Sequence, residues 1–231
     1  MSWFGIHLMS RRLIVCALSA VCIAAVIASE SRTAEPDGCQ IGTYRFSDGE
    51  IVDIARSEAD TFRWRKFDGI TGVLHNKGDG SWPSTLGWTD HPDGHTASFT
   101  HCATDEIEFD GKKANRIPFD TTDTMFESCG GIKLAGRLVL PKTNDPVPIV
   151  VFVHGAERDS ARDSYALQRL LPVENVGAFV YDKRGTGGLA GRYTQDFDTL
   201  ADDAVAAMRE AKRISGTRCG RIGYQGGSQG G

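Results

Sequence analysis

The sequence has no surplus of positive charge. Lys and Arg number 26 against 30 Asp and Glu, for a formal net charge of −4, so nucleic acid is not an expected partner. Its six cysteines include no C-x-x-C pair, which removes the close ligand spacing of the common zinc sites. The G-x-x-x-x-G-K-[ST] of a phosphate loop is also missing. Histidine is scarce: His7, His75, His91, His95, His101 and His154 are all there are, and none follows His154. What remains is the composition of an ordinary globular protein, 40% hydrophobic and 24% charged, with 27 glycines that suit a turn-rich chain.

One long uncharged run is present at the N-terminus. Arg11 and Arg12 precede "LIVCALSAVCIAAVIAS", Leu13 to Ser29. A basic stretch followed by a short apolar one predicts a signal peptide over 1–28, cleaved after Ala28, and hence an exported, periplasmic or secreted protein. The alternative is an uncleaved anchor, because the run approaches the minimum of about 17 residues for a membrane span. Apart from this export signal no membrane partner is expected. Cleavage would leave Cys39, Cys102, Cys129 and Cys219, which can pair in three ways. A Cys39–Cys102 bridge would close the N-terminal β region.

Residues 29–40 read as a polar linker. Over 41–120 short alternating or β-branched segments ("GTYRF", "EIVDIA", "TFRWRKF", "GVLH", "HTASFT", "IEFD") are separated by five Asp-Gly pairs. Such pairs favour hairpin turns in which both positions take positive φ, so a small antiparallel β domain is expected. Within it "DHPDGHTASFTHC" gathers His91, His95 and His101 with Asp90 and Cys102. A metal site is the alternative there to turn and strand-surface residues, and no metal is expected.

From 121 to 231 the texture changes. "GIKLAGRLVLP" reads as a hairpin-like pair of strands. "IVVFVHG" and "GAFVYD" are continuous apolar runs, the mark of strands covered on both faces. "SARDSYALQRLLP" reads as a helix ending at Pro172. "DTLADDAVAAMREAKRISG" reads as an amphipathic helix with Leu200, Ala204, Val205, Met208 and Ala211 inward. "RIGYQG" is a further strand. Strands alternating with helices predict a parallel α/β sheet.

Glycine-bearing turns follow three of these strands, where open α/β sheets place their sites. The last is Gly226-Gly227-Ser228-Gln229-Gly230. A serine hydroxyl becomes a nucleophile only when it stands clear of the backbone beside a base. A strand-to-helix elbow achieves this, with Gly226 and Gly230 small where the chain crosses itself. Acyl transfer also needs two backbone N–H groups aimed at the developing oxyanion. Gln229 supplies one and Ala156, in the "HGA" turn of His154, Gly155 and Ala156, supplies the other. His154 is then structural. In "YDKRGTGG", Asp182 and Arg184 would tie down a loop beside this site.

With these three motifs in this order, residues from about 132 to 231 resemble the front part of an α/β-hydrolase-fold serine hydrolase, of the serine aminopeptidase, prolyl-oligopeptidase-like and dienelactone-hydrolase-like group. "GGSQGG" is also similar to acetyl xylan esterases, but those carry Arg-Gly-Gln where this chain has Arg184-Gly185-Thr186. The resemblance implies a small-molecule or peptide substrate, an ester, amide or peptide bond, acyl-enzyme chemistry at Ser228, and no metal or organic cofactor. It implies a fold class of α/β, an incomplete α/β-hydrolase sheet ending at the nucleophile elbow, preceded by the small antiparallel β domain. It also implies a triad acid and histidine after the serine, so the sequence is expected to be an inactive fragment. The rival expectation is a non-catalytic exported binding protein with a hydrolase remnant.

Overall fold

Strands β1 (Gly42–Phe46), β2 (Ile51–Arg56), β3 (Thr61–Lys66), β4 (Thr71–His75), β5 (Ser81–Leu86), β6 (Pro92–Ser98), β7 (Glu106–Phe109) and β8 (Lys112–Arg116) pair in succession, each antiparallel to the next, in a computed structural model that describes residues 38–58, 60–189 and 191–231. The segment read as a signal peptide, and most of the linker, lie outside the described residues. The series does not stop as an open meander. β8 returns to β1, with Tyr44 opposite Arg116, and closes a barrel. The antiparallel β domain expected before the α/β part is thus a closed barrel, and the α/β sheet lies in the second half of the chain.

Alternation places Tyr44, Val52, Ile54, Trp64, Leu74, Ile107 and Phe109 inside the barrel. Trp64 donates its indole N–H to Ser84 Oγ at 2.7 Å, which satisfies the one polar atom of the largest core side chain. Cys39 and Cys102 form a disulfide that ties the entry of β1 to the turn after β6. β5 and β8 carry too little apolar signal to be read from sequence. β5 contains Pro83, beside which the register shifts, as a bulge permits. β8 is "KKANR", with Ala114 as its one core residue. Of the five Asp-Gly pairs only Asp110-Gly111 has positive φ at both positions, 53° and 73°. At 48–49 and 68–69 only the glycine does, and the aspartate instead accepts a hydrogen bond from the N–H two residues on.

The second half is a five-stranded sheet. β9 (Phe119–Glu127), β10 (Lys133–Pro141), β11 (Val147–Val153), β12 (Gly177–Tyr181) and β13 (Cys219–Gly226) lie in the order β13-β11-β12-β10-β9. β11 is parallel to β12 and β13, and β10 is antiparallel to β9 and β12. "GIKLAGRLVLP" is thus not a hairpin. Gly136 stays within the single strand β10, because a side chain there would strike the Phe179 ring, 2.5 Å from its Cβ position. The partner strand is β9, whose exposed Thr and Asp residues suit a sheet edge and hide it from pattern reading.

One face of the sheet, with Leu138, Ile149, Val151 and Phe179, packs on Ala207 and Ala211 of α3 (Phe197–Ser215). The other face, with Phe152, Ala178 and Val180, packs on Leu167 and Leu171 of α2 (Leu167–Val173) and on Tyr165. The helix expected over "SARDSYALQRLLP" is broken into α1 (Ala161–Ser164) and α2. Tyr165 is extended between them, and Pro172 lies within α2 rather than at its end. α3 begins with Asp196 as N-cap, accepting from Asp198 N–H, and ends before Gly216 at φ 57°. Its buried face is Leu200, Asp203, Ala207, Glu210 and Ala211, whereas the expected Val205 is exposed. The stripe is rotated because two acids on it are buried with partners.

The chain passes from β11 through α1 and α2 to β12 on one side, then through α3 back past β11 to β13 on the other. The direction of winding reverses between β11 and β13. Open α/β sheets bind ligands in the crevice at the carboxyl ends of the strands flanking such a reversal.

Candidate active site at the switch point

The turn after β13 is tightly crossed. A Cβ on Gly226 would lie 1.9 Å from the Gly230 carbonyl oxygen, and one on Gly230 would lie 2.0 Å from that of Val153. No larger residue fits either position without moving backbone. Between them Ser228 sits at φ 56°, a left-handed conformation that a non-glycine residue adopts against its preference. Gly230 N–H returns to the Gly227 carbonyl at 2.9 Å, so the chain leaves the strand at once into a short 3-10 turn. Ser228 is exposed, and among the described residues its hydroxyl has no hydrogen-bond partner.

The turn after β11 meets the serine turn directly. Gly230 packs against the carbonyls of Val153 and His154. His154 is 3% exposed. Its Nε2 accepts the backbone N–H of Lys183 at 3.4 Å, and its Nδ1 lies 3.8 Å from Glu157. Burial, and then the positive charge of Lys183, push its pKa down to about 4. The ring is therefore neutral at pH 7 and engaged in holding two turns together. This is the geometry of a structural histidine.

The third turn, after β12, supplies the anchors. Asp182 is fully buried and accepts from Ser160 Oγ at 3.0 Å and Arg162 Nε at 2.9 Å. It thereby pins the start of α1. Arg184 donates from Nε and Nη2 to the fully buried Asp203 of α3, at 2.8 and 2.6 Å, and also reaches Cys129 Sγ at 3.2 Å. These charge-assisted bonds raise its pKa further. Ser128 Oγ donates to Asp203 as well. Tyr193 OH donates to the Ala156 carbonyl at 3.2 Å.

Two members of this assembly are not singled out by the sequence. Lys183 is 2% exposed. Its Nζ donates to the Gly155 carbonyl at 2.5 Å and to Gln229 Oε1 at 2.6 Å. A lysine beside a glycine turn reads as a surface charge, and nothing in the pattern marks it as buried. Asp203 did carry a signal: it stands at the core-facing spacing between Leu200 and Ala207. The histidines of the barrel do not converge. His95 Nδ1 is 2.7 Å from Asp110, Cys102 is in the disulfide, and among the described residues no group of three or more His, Cys, Asp or Glu forms a cation site.

No family model and no curated protein matches the chain. Solved structures do resemble part of it. An esterase from Pyrococcus furiosus is 23% identical with a TM-score of 0.41, over 48% of this chain and 43% of its own. Brefeldin A esterase, a bacterial homologue of human hormone sensitive lipase, is 16% identical with a TM-score of 0.43, over 50% of this chain and 33% of its own. Est1E from Butyrivibrio proteoclasticus, solved with ferulic acid bound, is 26% identical with a TM-score of 0.40, over 46% and 43%. The chain spans less than half the length of each.

Proposed function

We propose that the protein carries the nucleophile half of a serine hydrolase of the α/β-hydrolase type, cleaving an ester, amide or peptide bond by acyl-enzyme chemistry. The observation that carries the reading is Ser228 at φ 56° in a glycine-packed turn at the carboxyl end of β13, beside the winding reversal. In this reading Ser228 Oγ attacks the acyl carbon while a base takes its proton. The carbonyl oxygen becomes an oxyanion held by the N–H groups of Gln229 and Ala156. The leaving group departs with the proton, and water then attacks the acyl-serine to release the acid and regenerate the hydroxyl. His154, Gly155, Gly226, Gly230, Asp182 and Arg184 hold the turns rather than react.

The base is not His154, whose ring is committed to Lys183 N–H. His75, His91, His95 and His101 all lie between the start of β4 and the end of the turn that follows β6, in the barrel. The reading therefore needs a histidine and an acid that residues 38–231 do not place at Ser228. We propose further that the protein is exported, on the N-terminal basic and apolar segments, and that its substrate is a small molecule or peptide.

The test is turnover of p-nitrophenyl esters. Protein isolated from its own cells is expected to hydrolyse them and to lose that activity on Ser228→Ala. The 231-residue chain produced alone is expected to give only trace turnover. Vigorous turnover by that chain, abolished by Ser228→Ala, would overturn the requirement for a further histidine. Activity indifferent to Ser228→Ala would overturn the reading itself.

A further inference from the structure

We propose that Lys183 is a positioning residue that sets both oxyanion donors before substrate arrives, an inference that rests on the reading of Ser228 as nucleophile. Lys183 stands two residues beyond β12, yet it touches the turns that follow both other parallel strands. Its backbone N–H donates to His154 Nε2 at 3.4 Å, and its Nζ donates to Gly155 O at 2.5 Å and to Gln229 Oε1 at 2.6 Å.

The peptide bond makes the first of these Nζ contacts directional. In a trans peptide the C=O and the following N–H lie in one plane and point opposite ways. The Gly155 carbonyl shares its peptide with the Ala156 N–H. Holding that oxygen on the buried ammonium therefore turns the Ala156 N–H to the side away from Lys183. The second contact anchors the side chain of Gln229, whose own N–H is the other donor. One cation thus orients the Gly155–Ala156 peptide and tethers the Gln229 side chain on a second turn. Donors fixed in advance need no reorganisation when charge develops, which is the main source of oxyanion stabilisation.

The charge balance points the same way. Buried lysines are ordinarily paired with a carboxylate. Both hydrogen-bond acceptors of Lys183 Nζ among the described residues are neutral. Glu157 and Asp203 act on it only at longer range, and His154 beside it is neutral. A positive charge held on two neutral dipoles has capacity left for a negative charge that appears only during reaction. Burial also lowers its pKa below that of an exposed lysine. Deprotonation on the alkaline side would release both donors together.

The test uses protein isolated from its own cells and a fluorophosphonate probe, with the labelling rate at Ser228 read by mass spectrometry. Lys183→Met is expected to slow labelling on the order of 100-fold, the size of one lost oxyanion donor. Lys183→Arg is expected to restore most of the rate and to extend it to higher pH, since the guanidinium does not deprotonate there. A merely structural lysine would not move the alkaline limb. Gln229→Leu removes one acceptor and leaves the backbone donor. It is expected to slow labelling as well, and less than additively with Lys183→Met. It carries the test if Lys183→Met fails to fold. Wild-type protein that labels at Ser228 while Lys183→Met or Gln229→Leu labels equally fast overturns the role of Lys183 alone. Wild-type protein that does not label overturns the serine-hydrolase reading and this inference with it.

Discussion

His154 shows how neighbours set the role of a single side chain. In sequence it is the one imidazole outside the barrel and the N-terminal segment, next to a glycine turn. Its burial and its bond from Lys183 N–H make it an acceptor that must stay neutral. Its pKa is lowered, from about 6.5 to about 4. The unfolded chain takes up the proton as pH falls below about 6.5 while the native protein resists until about 4. Stability from this group is thus full above about 6.5 and is lost progressively down to about 4, a span of about 3 kcal/mol. His154→Gln keeps an acceptor and removes the titration, so its unfolding free energy is expected to be flatter over that window. Urea unfolding of both proteins across the pH range checks this, and parallel slopes would contradict it. The close backbone crossings at Gly226 and Gly230 leave glycine in the sequence, which is what made that turn visible. Lys183 was not visible, because burial of a long cation is decided by neighbours that arrive from β11 and β13.

At the scale of elements, the site is three turns on three adjacent parallel strands. β11 and β12 were readable as continuous apolar runs, since both of their faces are covered, whereas β13, an edge strand with Arg221, Tyr224 and Gln225 exposed, was readable only from its place in the strand–helix series. β9, β5 and β8 were not, since an edge strand or a barrel strand with one core residue has little apolar pattern to show. The stripe of α3 was misjudged at Val205 because hydrophobicity alone cannot foresee that Asp203 and Glu210 turn inward to meet Arg184 and Thr124. The elbow is the element with least tolerance. Gly230→Ala would put a methyl 2.0 Å from the Val153 carbonyl. The turn must then shift by about an ångström, enough to slow probe labelling of Ser228 on the order of 100-fold. Labelling kinetics of the variant, with circular dichroism to check folding, would test this. An unchanged rate would mean that the turn is looser than its crossings imply.

Across the whole molecule, the barrel and the sheet are joined by a buried clasp. Arg169 of α2 donates to both carboxylate oxygens of Asp53 in β2, at 2.7 and 2.9 Å, and Thr43 Oγ1 donates to the same carboxylate. Asp53 is fully buried. Arg169→Met leaves that carboxylate without its cation and is expected to destabilise the protein by about 3–5 kcal/mol. Replacing Asp53 with Asn in the same chain should recover most of the loss, because no buried charge then stands alone. Thermal or denaturant unfolding of the single and double variants decides it, and additive losses would contradict the clasp. Neither this contact nor the closure of β8 on β1 could be read from sequence, because both join residues far apart in the chain. The Cys39–Cys102 disulfide was named at the sequence level, though spacing alone left the pairing of the four cysteines open.

The most direct test of the account is the site of covalent reaction. Protein isolated from its own cells would be treated with a fluorophosphonate and digested, and the modified peptide sequenced by mass spectrometry. The account predicts a single adduct on Ser228, in the peptide that contains Gly226 and Gly230, and none in Ser228→Ala. An unmodified Ser228 in folded protein, or an adduct on a different serine, would contradict it.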